Sequence, residues 1–336
     1  MENGSTKTEC LEVMSQLGEY GEECGFEPII AVDYGSCARG LSSERSDYDV
    51  MFVYVQEPFE YVSGSTTMTY NKSVEASGME IELHGWDIQK FIGNDGLLGS
   101  NPSAMEFVIS DVMYYINSDI VSYIDEIRDH MLENFKPYAL INHSRSLAAS
   151  NYGKYIEESW VTEWSNAQIS EFAGTPGGQV SIDEENGTVT VGVLGYENKT
   201  IDISISKAED VGMIRKTTVD QTVKRYLNII QALLQARYAE ETHEAPPMNY
   251  DKNLEWARNA LDIDGVLLQN MEDLAETKRE GFGMEVPENT ENMDSWIESE
   301  LERDVQPHDH VNRTPDREIV HENAEQIYHT VMEGSL

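Results

Sequence analysis

The sequence predicts an α/β (α+β) protein: a mixed sheet with flanking helices, followed by a helical region that carries a small β insertion. Three observations predict it. Short β-rich runs at 28–34 and 48–55, with further strand material at 66–84, lie near the start of the chain. Segments with apolar residues at helical spacing precede and follow them. Between two of the later helical segments lies a stretch with hairpin chemistry.

Residues 7–24 read as an amphipathic helix, with Leu11, Val13, Met14, Leu17 and Tyr20 near helical spacing. Residues 66–70 and 79–83 alternate in the way of a half-buried sheet. Asp87 caps a helix running through Phe91, and Asn101-Pro102 starts another, with Asn at the cap and Pro in the first turn. Residues 120–135 and 138–158 are helical. After Trp164 the texture changes. A Gly174-Thr175-Pro176-Gly177-Gly178 turn, a run at 180–182, an Asn186-Gly187 hairpin signal and runs at 189–194 and 201–205 make a β insertion. Helices return at 217–240 and 251–278. From about Gly281 the chain is polar, acidic and poor in large apolar residues, which predicts a tail with a short helix near 318–332. The expected parts are a catalytic domain at 1–135, a helical domain at 136–280 with the insertion at about 175–206, and a partly disordered acidic tail at 281–336.

Composition bounds the function. The net charge is -39, from 62 acids against 23 bases. Self-repulsion of that size opposes compaction in dilute buffer, whereas at about 1 M salt the Debye length is only about 3 Å. The balance reads as that of a halophilic protein in a salt-rich cytoplasm. Global disorder, the competing reading of high charge, fits poorly with a 40% hydrophobic fraction and 17 Tyr. Cys10, Cys24 and Cys37 make neither a disulfide framework nor a zinc spacing. No apolar run reaches the length of a membrane span, and the start lacks a signal peptide's regions, so a cytoplasmic protein without a membrane partner is expected.

The chemistry concentrates in residues 30–55. A strand ends in Gly35-Ser36, and the polar segment after it, read as a short helix, can hold a phosphate on its N–H groups. The next strand opens with Asp47 and Asp49. Side chains two apart on a strand share a face, and two hard oxygen ligands held together suit Mg²⁺. Phosphate cradle and metal acids together suggest phosphoryl or nucleotidyl transfer. In so acidic a chain a spaced acid pair alone is cheap; its place after Gly35-Ser36 and among apolar strand residues gives it weight. No Gly-x-x-x-x-Gly-Lys loop and no Gly-x-Gly-x-x-Gly fingerprint is present.

This constellation resembles the nucleotidyltransferase superfamily of DNA polymerase β, whose signature is a Gly-Ser turn followed by an Asp-x-Asp strand. Further segments follow in order: Gly85-Trp86-Asp87, Asn101-Pro102-Ser103, Ser110-Asp111-Val112, His143-Ser144-Arg145, Lys224-Arg225-Tyr226 and Ala245-Pro246-Pro247. They are similar to the YcgL-type predicted nucleotidyltransferases, a branch associated with RNA repair. The resemblance spans roughly residues 25–265.

The resemblance implies a polymerase-β-like fold that moves a nucleoside monophosphate from an NTP such as ATP to an acceptor hydroxyl, an RNA end, releasing pyrophosphate. It implies that Asp47 and Asp49 hold two Mg²⁺ ions, with Mn²⁺ as a substitute. A third carboxylate completes the set: Glu82 rather than Glu80, because Ile81-Glu82-Leu83 fits the family's acid between apolar residues. Gly35 and Ser36 would hold the β- and γ-phosphates. Arg39 is a phosphate ligand by its fork, or else a partner of Glu44 and Asp47. Lys224, whose family counterpart faces the active site, would bind the triphosphate; the plainer reading is a solvated basic patch at a helix start. Cys37 and Gln231 stand where the family has arginine. Asn101, Glu106 and His143 match family blocks, with Asn101 read as a cap. His84 reads as structural, and His308, His310, His321 and His329 as solvated. Two other readings remain open: transfer of AMP onto a protein acceptor, as toxin-linked members of the superfamily do, and a non-catalytic nucleotide-binding scaffold. A groove for long nucleic acid is hard to reconcile with the net charge of -39; a short end bridged through Mg²⁺ is compatible.

Overall fold

Residues 50–55 are all apolar or aromatic, and a strand so composed needs cover on both faces. The computed structural model, which describes residues 7–76, 78–153, 178–183, 188–193, 201–204, 222–288, 290–305 and 315–334, provides it. β2 (Tyr48–Gln56) lies between β1 (Phe26–Asp33), antiparallel, and β4 (Met79–Asp87), parallel. β3 (Thr69–Ala76) and β5 (Met113–Ile116) form the edges of a mixed sheet in the order β3-β4-β2-β1-β5. Helices flank it in chain order: α1 (Lys7–Cys24), α2 (Pro58–Ser63), α3 (Ile88–Ile92), α4 (Pro102–Ile109), α5 (Val121–Glu133), α6 (Pro137–Gly153), α7 (Val223–Thr242), α8 (Tyr250–Ala260), α9 (Gly265–Arg279), α10 (Glu291–Glu302) and α11 (Arg317–Gly334).

Alternation along the strands divides the core in two. Val50, Phe52 and Tyr54, with Ala31, Ile81 and Leu83, pack against Val13, Leu17 and Tyr20 of α1. Met51, Val53 and Val55, with Ile30 and Val32, meet helices on the opposite face, including Phe107 of α4, Ile124 of α5, Ala236 of α7 and Ile327 of α11. Gly85 lets β4 run close under Phe52; a Cβ there would stand 2.6 Å from the ring's Cε2. The two predicted caps are in place. Asp87 Oδ1 accepts the Gln89 N–H at 2.8 Å, and Asn101 Oδ1 accepts the Ser103 N–H at 2.9 Å.

Contacts divide the chain into Met1–Ser150 with Thr222–Leu336, and Asn151–Gln221. Within the second unit β6 (Gly178–Asp183), β7 (Thr188–Val193) and β8 (Ile201–Ser204) form an antiparallel sheet in that order. The division therefore brackets the β insertion rather than falling at 135/136, because residues on both sides of that point share one core. The Asn186-Gly187 turn lies outside the described residues.

Other departures have local causes. The segment expected as one helix at 251–278 is two, α8 and α9, the second capped by Asp264, which accepts the Val266 N–H at 2.8 Å. The stretch after Gly281 is not simply a tail. Val320, Ala324, Ile327 and Val331, at spacings of four, three and four, put one apolar stripe of α11 into the core. The acids around that stripe mask it in any average over the segment. α10 is held at its C-terminus by Arg145, whose guanidinium donates to the carbonyls of Glu300 (2.5 Å), Leu301 (2.9 Å) and Arg303 (2.7 Å). Replacing Ile327 with Ala is expected to cost about 2–5 kcal/mol. Thermal melting with a probe in the sheet reads this directly, and an unshifted melting temperature would contradict the docking of α11.

Candidate active site

Strand parity assembles the acids. Asp49 points to the same side of the sheet as Met51 and Val53, toward the helices. On β4, Ile81 and Leu83 face α1, so Glu82, His84 and Trp86 face the side of Asp49. The parallel register puts Asp49 directly beside Glu82. Burial raises the Asp49 pKa, the carboxylates of Asp47 and Glu82 raise it further, and Arg39 and Lys224 pull it back. Five of the predicted residues are thus within electrostatic reach of one another. Glu80 also faces this side but is exposed.

A buried carboxylate shapes the turn between β1 and β2. Asp33 accepts the N–H groups of Gly35 (3.0 Å) and Ala38 (2.7 Å) on one oxygen and the Tyr114 hydroxyl (2.7 Å) on the other. Residues 36–40 follow as successive turns and not as the short helix read from the sequence. The Gly35 N–H is therefore spent on Asp33 rather than offered to a phosphate. What Gly35 contributes is room: a Cβ there would stand 2.6 Å from the Asp49 Cβ and run into its carboxylate. The Ser36 hydroxyl is buried and has no hydrogen-bond partner among the described residues. An Asp two residues ahead of Gly35 is the Asx-turn pattern, the local sequence signal for the role of Asp33.

Beside the acids opens a cleft of about 1190 Å³, lined among others by Cys37, Ser46, Asp47, Glu80, Lys224 and Lys278. Lys278, at the end of α9, donates to Ser46 Oγ at 3.2 Å. Burial lowers its pKa, the neighbouring Lys224 lowers it further, and Asp47 opposes both. Lys278 was not foreseen, and a single lysine ending a helix carries no sequence signal that separates it from an ordinary C-terminal charge.

The remaining candidates have the following partners. Arg39 pairs with neither Glu44 nor Asp47; it donates to Asn228 Oδ1 at 3.1 Å and faces Glu106 at 4.0 Å, with its Nε buried and unmatched. Burial raises the Glu106 pKa, and Arg39 opposes that rise. His84 Nδ1 lies 3.1 Å from Asn71 Oδ1 and its Nε2 3.5 Å from Glu82. His143 is exposed, and so are His321 and His329 on α11. His308 and His310 lie outside the described residues. Gln231 is buried, its amide donating to the Met248 carbonyl at 2.6 Å.

Asp47, Asp49 and Glu82 offer hard oxygen donors of the kind Mg²⁺ takes, and the upward push they exert on Asp49 is what a cation between them would relieve. Among the described residues they are not drawn together into a preassembled metal cluster.

The family described as RlaP, RNA repair pathway DNA polymerase beta family, matches residues 12–324. The "Uncharacterized protein YcgL" of Bacillus subtilis (strain 168) is 22% identical over 293 residues, covering 87% of this chain and 85% of the relative. The crystal structure of a nucleotidyltransferase-like protein from Exiguobacterium sibiricum 255-15 aligns with 97% of this chain and 92% of its own at 11% identity and a TM-score of 0.26. No helix among the described residues is long and apolar enough to cross a membrane.

The turn makes a pH prediction. Burial lifts the Asp33 pKa from 3.8 to about 6, against the pull of its three hydrogen bonds. A group raised on folding adds stability that is whole below its unfolded pKa and fades as pH climbs through the folded one. Wild-type protein should therefore lose stability relative to Asp33→Asn as pH rises from 3.8 through 6. Denaturant melts of both proteins across that range measure it; a difference moving the other way would refute the assignment.

Proposed function

The chain belongs to the RNA repair pathway DNA polymerase beta family, and from that premise we propose that it is a metal-dependent nucleotidyltransferase acting on an RNA end. The observation that carries the reading is Asp49 beside Glu82 on one sheet face, against a glycine turn that leaves no room for a side chain. Asp47, Asp49 and Glu82 would hold Mg²⁺, which when bound supplies charge stabilisation at the phosphates.

The chain's own groups divide the remaining work. Ser36, through its unpartnered hydroxyl, and Lys224, at the start of α7, hold the phosphates of the NTP. Glu82, with its side chain 40% exposed, takes the proton of the acceptor hydroxyl. The acceptor oxygen bonds to the α-phosphorus, the bond from that phosphorus to the bridging oxygen breaks, and pyrophosphate leaves with the electron pair. Positioning contributes strongly in such a site, because acceptor and phosphorus must meet in line.

Labelled NTPs, Mg²⁺ and either RNA or protein acceptors in molar KCl test the reading. Label on RNA supports it. Label on protein would move the acceptor to a protein side chain, and bound nucleotide without transfer would make the chain a nucleotide-binding scaffold. Asp49→Asn should lower transfer about a thousandfold or more, since a bound metal contributes several kcal/mol to such a transition state. Gly35→Ala should lower it about a hundredfold by pushing the Asp49 carboxylate aside. Full activity in Asp49→Asn would remove the metal assignment.

A further inference from the structure

Lysines are scarce in this chain, and several of the cations the structure describes are matched with acids. Arg237 meets Glu241 and Glu300, Arg279 meets Asp251, Lys252 meets Asp111, and Lys72 meets Glu23. Lys224 and Lys278 are not matched in this way, and they lie together. Among the described residues neither makes an ion pair with a carboxylate, although 62 acids are available in the chain. They come from the start of α7 and the end of α9 and line the same cleft beside Asp47.

The segment between α9 and α10 fixes the backbone at both lysines. The Gly281 N–H donates to the Lys278 carbonyl (3.0 Å) and the Phe282 N–H to that of Thr277 (3.1 Å), turning the chain back at once. Gly281 takes a left-handed φ of 93°, which glycine adopts without strain. The Gly283 carbonyl then accepts the Lys224 N–H at 2.8 Å, and the Glu285 carbonyl that of Val223 at 2.8 Å. Gly283 itself lies between the two lysine stems: a Cβ there would stand 2.5 Å from Lys278 Cδ and 3.7 Å from Lys224 Cβ. A backbone turn fastened at four points therefore brings together two like charges that repel. Asp47 opposes that repulsion at Lys278, a polyphosphate would relieve it further, and two neighbouring ammoniums suit such an anion.

We propose that Lys278 is a second phosphate-binding residue, which with Lys224 holds the triphosphate of the donor nucleotide in the cleft beside Asp47. This rests on the nucleotidyltransferase reading and adds to it a residue and a holding segment. The hydrogen bond to Ser46 Oγ, itself a lining residue, places the Lys278 ammonium at the cleft.

Binding of tripolyphosphate and of Mg-ATP to wild-type, Lys278→Met and Lys278→Arg proteins tests it, with each variant's melting temperature measured alongside. Losing one charge-assisted contact should weaken both ligands about tenfold in Lys278→Met. Lys278→Arg, which keeps the charge, should stay within about threefold of wild type, because a lysine acts on phosphate chiefly as a point charge. Wild-type affinity for tripolyphosphate in a folded Lys278→Met overturns the proposal and leaves the nucleotidyltransferase reading intact. So does equal loss in Lys278→Arg at an unchanged melting temperature. Should Lys278→Met fail to fold, the arginine variant and its ligand-induced melting shift decide the matter alone. Tripolyphosphate bound through Lys278 in a protein that transfers no nucleotide would uphold the subsite and sink the enzymatic reading. Wild-type protein that binds neither ligand would sink both.

Discussion

The parallel pairing of β2 with β4 is the constraint on which the rest of the site depends. It sets Asp49 beside Glu82, and a slip of one residue would turn Glu82 toward α1 and bring Ile81 or Leu83 to the acids instead. Nothing in the acids themselves favours their meeting, since three carboxylates on one face repel. The register is held from the other face. Phe52 lies over Gly85, and Phe26 stacks on Phe52 at 5.4 Å and against Tyr54 at 4.8 Å, with Tyr20 and Tyr70 closing the cluster. Aromatic packing under α1 therefore fixes polar geometry on the opposite side of the same strands.

The charge imbalance gives each cation more meaning than it would have in a neutral protein. Exposed pairs such as Lys252 with Asp111 contribute little on their own. The partly buried group of Arg237 and Arg303 with Glu240 and Glu300 is different, because it joins α7 to α10 where water is largely shut out. Arg279 donates through Nη2 to the oxygens of Asp251 and through Nε to the Gly40 carbonyl, joining α8 and α9 to the far end of the phosphate turn. Several cations here fasten helices to one another, whereas Lys224 and Lys278 face one cleft together.

Much of this was legible in the sequence, and the illegible part has identifiable causes. Strands β1, β2 and β4 announce themselves by apolar alternation, and Asp87 and Asn101 by cap chemistry, because both signals are local. β5 is only four residues long and has no turn signal of its own; it exists because β1 needs a partner on that edge. α11 hides its four core residues among acids, and its burial depends on a surface built 200 residues earlier. Within the site, the face of the acids followed from parity, whereas the partners of Arg39 and the approach of Lys278 follow from long-range packing that no spacing encodes. Asp33 lies between these cases: its turn chemistry was written in the sequence, but its burial required Tyr114 from β5.

Gln231 shows how a residue out of place for one role can serve the same site in another. The resemblance puts an arginine there, as part of the phosphate or acceptor site. In this chain the position is 3% exposed, and a guanidinium there would have to be paired to offset its burial. The glutamine amide instead fastens the Met248 carbonyl. The next residue, Asn249, caps α8 by accepting the Lys252 N–H and packs so tightly on Gly40 that a Cβ there would meet its Nδ2 at 2.5 Å. Tyr250 then donates its N–H to the Arg39 carbonyl at 2.9 Å. From α7, then, a neutral side chain sets the segment that braces the last residues of the phosphate turn. The turn is fixed at its start by Asp33 and at its end through Gln231, and the positive charge of the cleft comes from the helix ends at Lys224 and Lys278.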